Sequence, residues 1–135
     1  MTSHQSEAAI RVLMMPRDTN PAGTIFGGVI LSYMDQAGAE EAKRHGAEQV
    51  VTVAMKEVVF HEPVHVGDLV SFYTDHLRTG RSSVTVRVLV QAARRWNREE
   101  IVKVTEAEIT YVNVNQERRP VPLDRGSSTG PAREE

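Results

Sequence analysis

Asp35 is the residue best placed to do chemistry in this sequence. On a wheel turning about 100° per residue, Leu31, Ser32, Gly38, Ala39 and Ala42 fall within about 60° of it. Its carboxylate therefore stands in a lane of mostly small side chains, with space above it. The wheel alone leaves two readings open: a solvated carboxylate beside a close helix–helix contact, or a base with room for a reactant. Upstream, Asn20 sits in a run of turn formers, Pro16-Arg17-Asp18-Thr19-Asn20-Pro21-Ala22-Gly23, that leads through Thr24-Ile25-Phe26 to Gly27-Gly28. A helix opening at Gly28 presents free backbone N–H groups and a partial positive charge. Such donors suit the oxyanion that forms when a carbonyl is attacked. Acyl transfer to water also needs a base, and Asp35, two turns into the helix, is the nearest candidate. Asn20, a neutral amide, could hold a water or the carbonyl without competing for the proton.

The other chemistry-bearing groups are less demanding. His61-Glu62-Pro63-Val64-His65 matches the zinc-protease pattern H-E-x-x-H, which works only on a helix that brings both imidazoles to one face. Pro63, Val64, Val66 and Gly67 disfavour helix there, so a strand-edge turn without metal is expected. Ser32, Ser82 and Ser83 are the candidate hydroxyl nucleophiles, but no G-x-S-x-G elbow surrounds them. Arg78, Gly80, Arg81, Ser82 and Ser83 form a strand-edge loop that either pairs with phosphates or is an ordinary hairpin turn with solvated arginines. Arg94-Arg95-Trp96-Asn97-Arg98 is a basic loop with one aromatic, read as a solvated turn that could touch an adenine. The sequence has no cysteine, which excludes disulfides, thiolate metal sites and a thiol nucleophile.

These residues need elements to hold them. Residues 9–15 alternate as a short first strand, with Ile10, Val12 and Met14 on one side. After Gly28 the period becomes helical and runs to about His45, with Lys43 and Arg44 in the last turn and Gly46 as the stop. That is roughly 18 residues, or about 27 Å of helix. Four strand-like segments follow: Val50–Phe60, Val64–Leu77, Ser82–Ala92 and Ile101–Val114. In the third, Val84, Val86, Val88 and Val90 share one face while Thr85, Arg87 and Gln91 share the other. The order β-α-β-β-β-β predicts an α+β layer, with one helix covering one face of an antiparallel sheet whose other face is wet.

At 135 residues and a net charge of -2, the chain fits one domain with nothing to suggest a nucleic-acid partner. Residues 1–8 and 123–135 are polar and are expected to be flexible tails around a domain at 9–122. No basic run precedes an apolar segment at the start, and no stretch approaches ~18 apolar residues. No membrane is therefore expected, and the cytoplasm is the expected address.

The run MMPRDTNPAGTIFGGVILSYMDQAGA, Met14–Ala39, resembles the signature of the hot-dog acyl-CoA hydrolases, which include bacterial short-to-medium-chain enzymes and vertebrate brain acyl-CoA hydrolase. The similarity continues through VVTVAMKEVVFHEPVHVGD, TGRSSVTV and VTEAEITYVNVN and spans nearly the whole chain outside the tails. The resemblance implies a hot-dog fold, a curled antiparallel sheet of about five strands around one central helix. It implies hydrolysis of acyl-CoA to free CoA and carboxylate, with Asp35 as general base or nucleophile. The family's Asn falls on Asn20 and its helix-opening glycine on Gly28. It favours the phosphate reading of Arg78, Gly80, Arg81, Ser82 and Ser83, with coenzyme A bound as part of the substrate and no further cofactor. It further implies a homo-oligomer whose Asn and Asp meet across a subunit interface, with three dimers forming a hexamer. Glu40 and Glu41 depart from the aliphatic residues common there and are expected to be exposed. Two rival readings are a non-catalytic acyl-CoA-binding module and a hydratase, but a module needs no base and the helix carries no histidine before His45.

Overall fold

The architecture follows from which face of each segment is apolar. In Ser83–Arg94, Val84, Val86, Val88, Val90 and Ala92 are all buried, while Arg87, Leu89 and Gln91 between them are half-exposed. Burying each such valine contributes about 1.5–3 kcal/mol, so the strand is held to one register. In the computed structural model, which describes residues 7–124 and the backbone of 128–130 and 132–134, this strand is the middle of a five-stranded antiparallel sheet. The elements are β1 (Ile10–Leu13), α1 (Gly27–Lys43), β2 (Val50–Lys56), β3 (Leu69–Thr79), β4 (Ser83–Arg94) and β5 (Asn97–Asn113), with a short 3-10 turn at Pro16–Asp18. The strand order is β1-β3-β4-β5-β2. Two further short strands, β6 (Ser128–Gly130) and β7 (Ala132–Glu134), pair only with each other. The helix lies across the apolar face, chiefly over β3 and β4, and its Ile30 and Met34 share one buried core with Phe72, Val86 and Ile109. The opposite face carries a ladder of ion pairs, Arg87 with Glu106 and Glu108 and Lys103 with Glu106. This is the expected α+β hot-dog arrangement. Among the described residues no helix is long and apolar enough to cross a membrane.

Element ends differ from the sequence expectations for local reasons. The second segment stops at Lys56 rather than Phe60 because Glu57 takes a left-handed conformation, φ 61°. The third begins at Leu69 rather than Val64. Gly67, at φ 90°, turns the chain there, and the buried Asp68 carboxylate gathers the His65 N–H at 2.8 Å, the Arg95 N–H at 3.0 Å and the Arg94 guanidinium at 2.8 Å. The same anchor shortens the next connection. Arg94 pairs directly with Asn97, so the loop expected over residues 94–100 is a tight hairpin around Arg95 and Trp96. At the far end of α1, Gly46 adopts φ 99° and its carbonyl accepts the Asp124 N–H at 3.0 Å. Leu123, expected to start a loose tail, is instead buried, and its N–H donates to the Arg81 carbonyl at 3.0 Å.

Candidate active site

The buried residues of α1 are Ile30, Met34, Ala37, Gly38, Glu41 and Ala42. On the wheel they span an arc of about 140° from Ala37 to Ala42, and Asp35 falls about 20° beyond its edge. Asp35 thus sits at the rim where the helix leaves the sheet. Two residues of the sheet reach it there. Thr52 on β2 donates its hydroxyl to Asp35 Oδ1 at 2.7 Å, and Tyr111 on β5 donates its hydroxyl to the Asp35 backbone carbonyl at 2.7 Å. Thr52 and Tyr111 are directly opposed across the β2–β5 pair, so one cross-strand unit holds both the carboxylate and its backbone. Burial pushes the Tyr111 hydroxyl far above the ordinary tyrosine range, and the charge of Asp35 adds to the effect. Sequence reasoning did not single out Thr52. Its one signal was a lone hydroxyl within the apolar run VVTVAM.

Within the small lane, Gly38 and Ala42 are buried against the chain's own sheet. A Cβ on Gly38 would stand 3.0 Å from Tyr111 Cε2 and Cζ, so the missing side chain is the notch through which the phenol reaches Asp35. Glu40 is exposed as expected, but Glu41 is not. It is buried, accepts the Thr74 hydroxyl at 3.0 Å and lies 2.9 Å from His45 Nε2. His45 stacks on His76 at 3.9 Å between ring centres, and His76 Nε2 is 2.6 Å from Thr79 Oγ1.

Asn20 and Gly28 lie at the other end of the helix. The Asn20 amide is engaged within its own loop, donating to Thr24 Oγ1 and accepting the Thr24 N–H, each at 3.1 Å. Within the protomer it is thereby held by Thr24 and not by Asp35. The helix begins at Gly27, one residue earlier than expected, and no side chain caps it at Phe26. A Cβ on Gly27 would lie 3.3 Å from the Phe60 ring, whereas nothing stands within 4 Å of one on Gly28. The opening turn is therefore bare on the Gly28 side, with backbone donors that by their position lack helical acceptors.

Thr79, Gly80, Arg81, Pro122 and Leu123 line an open cleft of about 480 Å³ beside the β3–β4 hairpin. Of the residues expected to hold phosphates, Gly80 and Arg81 line this cleft. Ser83 stands behind the cleft, its Oγ so close to the Gly80 Cα that a Cβ there would lie 2.6 Å from it, and the Ser82 carbonyl accepts the Asn113 N–H. Arg78 does not join them. It is opposite Thr85 on the other face of the sheet and pairs with Glu108 at 3.5 Å, because Leu77 is bulged and reverses the alternation. His61 and His65 belong to the extended connection between β2 and β3 rather than to one helix face, and His65 packs against Trp96, 5.6 Å between ring centres.

Residues 22–95 match the family model described as thioesterase superfamily. The acyl-CoA thioester hydrolase YciA of Salmonella typhimurium is 38% identical over 121 residues, which cover 88% of this chain and 91% of that protein. Among solved structures, the hexameric hot-dog thioesterase Cj0915 of Campylobacter jejuni is 42% identical with a TM-score of 0.81, covering 90% of this chain and 92% of its own. HI0827, a hexameric broad-specificity acyl-coenzyme A thioesterase solved as an aspartate-to-alanine variant, is 36% identical with a TM-score of 0.85, covering 96% and 94%.

Proposed function

The chain belongs to the thioesterase superfamily, and from that premise we propose that it hydrolyses acyl-CoA with Asp35 as the reacting carboxylate. It is an enzyme, an acyl-CoA thioester hydrolase of the hot-dog fold. The observation that carries the assignment to Asp35 is its position at the rim of α1, half-buried and held at one oxygen by Thr52. Water attacks the thioester carbonyl, the C–S bond breaks, and the products are a carboxylate and the CoA thiol. Asp35 takes the proton from the attacking water and returns it to the leaving sulfur. In the covalent variant of the same site, a carboxylate oxygen of Asp35 attacks first and expels the CoA thiolate, which takes a proton from solvent. Water then hydrolyses the mixed anhydride to the product acid and free Asp35. The N–H of Gly28 steadies the oxyanion and Asn20 orients the water or the carbonyl. Coenzyme A enters as part of the substrate, its phosphates lying in the cleft at Gly80 and Arg81.

This division of labour requires a second copy of the chain. Gly28 and Asp35 are seven residues apart on one helix, about 10 Å along its axis, too far to grip a single carbonyl between them. A carbonyl held by Gly28 and Asn20 of one subunit would meet Asp35 of the partner subunit. The relatives Cj0915 and HI0827 are hexameric, which supports self-assembly, and we read the assembly of this chain as three such dimers. The test is a thiol-trapping assay with a panel of acyl-CoAs. Asp35→Ala is expected to lose at least about a hundredfold in kcat while still binding CoA, a loss of the size seen when a group acting in proton transfer is removed. Mixed Asn20→Ala and Asp35→Ala subunits are expected to regain activity after exchange. Near-wild-type turnover in Asp35→Ala would remove it from the mechanism, and exchange without recovery would confine each site to one subunit.

A further inference from the structure

We infer that Tyr111 is the positioning residue for Asp35: through the notch left by Gly38, its hydroxyl sets the height at which α1 carries the carboxylate above the sheet. The inference rests on Asp35 being the reacting group. A helical carbonyl spends one lone pair on the N–H four residues on, and its second usually turns to solvent or stays unused. At Asp35 the second is taken at 2.7 Å by a phenol that rises from the sheet, 1% exposed. Packing alone would not require this hydroxyl, since a phenylalanine ring fills the same space.

Three features converge on the one backbone unit. Tyr111 comes from β5, its directly opposed neighbour Thr52 on β2 holds Asp35 Oδ1, and Gly38, one helical turn beyond Asp35, clears the path between them. Residues three apart in a helix share a face, so a side chain at position 38 would stand where the hydroxyl now passes. Thr52 thereby fixes the rotation of the carboxylate, while Tyr111 fixes the peptide that carries it. The buried phenol is held in its protonated state, so it acts as a standing donor and not as an acid in turnover.

The experiment is steady-state thiol trapping on Tyr111→Phe, Thr52→Val and the double variant, with Asp35→Asn alongside. Tyr111→Phe removes one hydrogen bond, so kcat is expected to fall roughly tenfold with KM within about twofold. Because both residues act through Asp35, the double variant is expected to lose less than the product of the single losses, as contacting groups in one network do. A merely structural role would give independent, multiplying effects or none. Gly38→Ala keeps the hydroxyl but blocks its path, and is expected to lower kcat in the same way. Wild-type kcat in folded Tyr111→Phe, multiplying effects, or loss of the fold in both Tyr111→Phe and Gly38→Ala would assign the residue to packing and overturn the inference. Turnover surviving in Asp35→Asn would instead remove the carboxylate from the reaction, which is a separate failure.

Discussion

Replacing Gly38 with alanine tests the arrangement beneath Asp35 through stability alone. The added Cβ would sit 3.0 Å from two ring carbons of Tyr111 and closer still to its hydroxyl. The ring cannot retreat easily, because Tyr111 is buried with Val84 opposite it on one side and Thr52 on the other. Overpacking of this kind costs about 1–3 kcal/mol. Pushing the hydroxyl off the Asp35 carbonyl removes a further ~0.5–1.5 kcal/mol. Against these, alanine is about 1 kcal/mol better than glycine within a helix. The net is a destabilisation of roughly 2 kcal/mol, which for a domain of this size lowers Tm by about 6–10 °C. Thermal and urea unfolding should be followed at one fixed protein concentration, since assembly makes Tm depend on it. Gly28→Ala is the comparator: nothing stands within 4 Å of its Cβ, so its Tm should hold or rise slightly. A Gly38→Ala protein as stable as the wild type, or more so, would mean that helix propensity outweighs the clash and that Tyr111 does not fill the notch.

Two further outcomes follow from the site's surroundings. Arg81→Ala is expected to raise KM for acyl-CoA more than it lowers kcat, because phosphate contacts remote from the carbonyl bind ground and transition states alike. Arg78→Ala, on the opposite face with Glu108, should leave both within about twofold, since a rim ion pair contributes little; equal effects of the two would refute this division of faces. His76 is held below its ordinary value of 6.5, first by burial and then by the stacked His45, with Glu41 opposing. The unfolded chain therefore binds more protons between that lowered value and 6.5, and stability is expected to rise with pH across the window and to be lost as pH falls through it. Glu41 on α1 and His45 just beyond its end act on the ring, so the readout is the difference in slope between wild type and His76→Asn in urea unfolding from pH 5 to 7. Equal slopes would remove His76 from the effect.

Much of the fold was legible because its periods are clean. The valines of β4 and the single long helical stretch specify one covered sheet, and both stand where the pattern put them. The boundaries that moved did so through contacts the local pattern does not contain. No alternation of apolar residues marks Leu69 as a start. It is the buried Asp68 carboxylate, joined to Arg94 and Arg95 across the sheet, that turns residues 63–68 into a loop and tightens the next hairpin. Removing one partner of a buried pair like Asp68–Arg94 costs about 3–5 kcal/mol, enough to override a weak β preference at Val64 and Val66.

The candidate site divides along the same line. Residue type together with the family resemblance pointed to Asp35, Asn20 and Gly28, since a carboxylate, a neutral amide and a bare helix end are what acyl transfer to water uses. What holds Asp35 in place was invisible, because Thr52 and Tyr111 meet it only through the pairing of β2 with β5. The helical wheel was also ambiguous in a specific way. It ranks neighbours by angle but does not say which arc the sheet covers, so the lane of Gly38, Ala39 and Ala42 read equally well as a helix–helix seam. Glu41, about 240° round from Asp35, read as solvated although Thr74 and His45 enclose it. Once the covered arc is known, the ambiguity resolves. Asp35 lies just outside it, anchored from the sheet side by its backbone and one oxygen, and so has its remaining face turned outward from its own protomer. In the proposed reaction a carboxylate fixed from beneath in this way meets its substrate from that outer side, and Asn20 and Gly28, at the other end of α1, would work with it only from another copy of the chain.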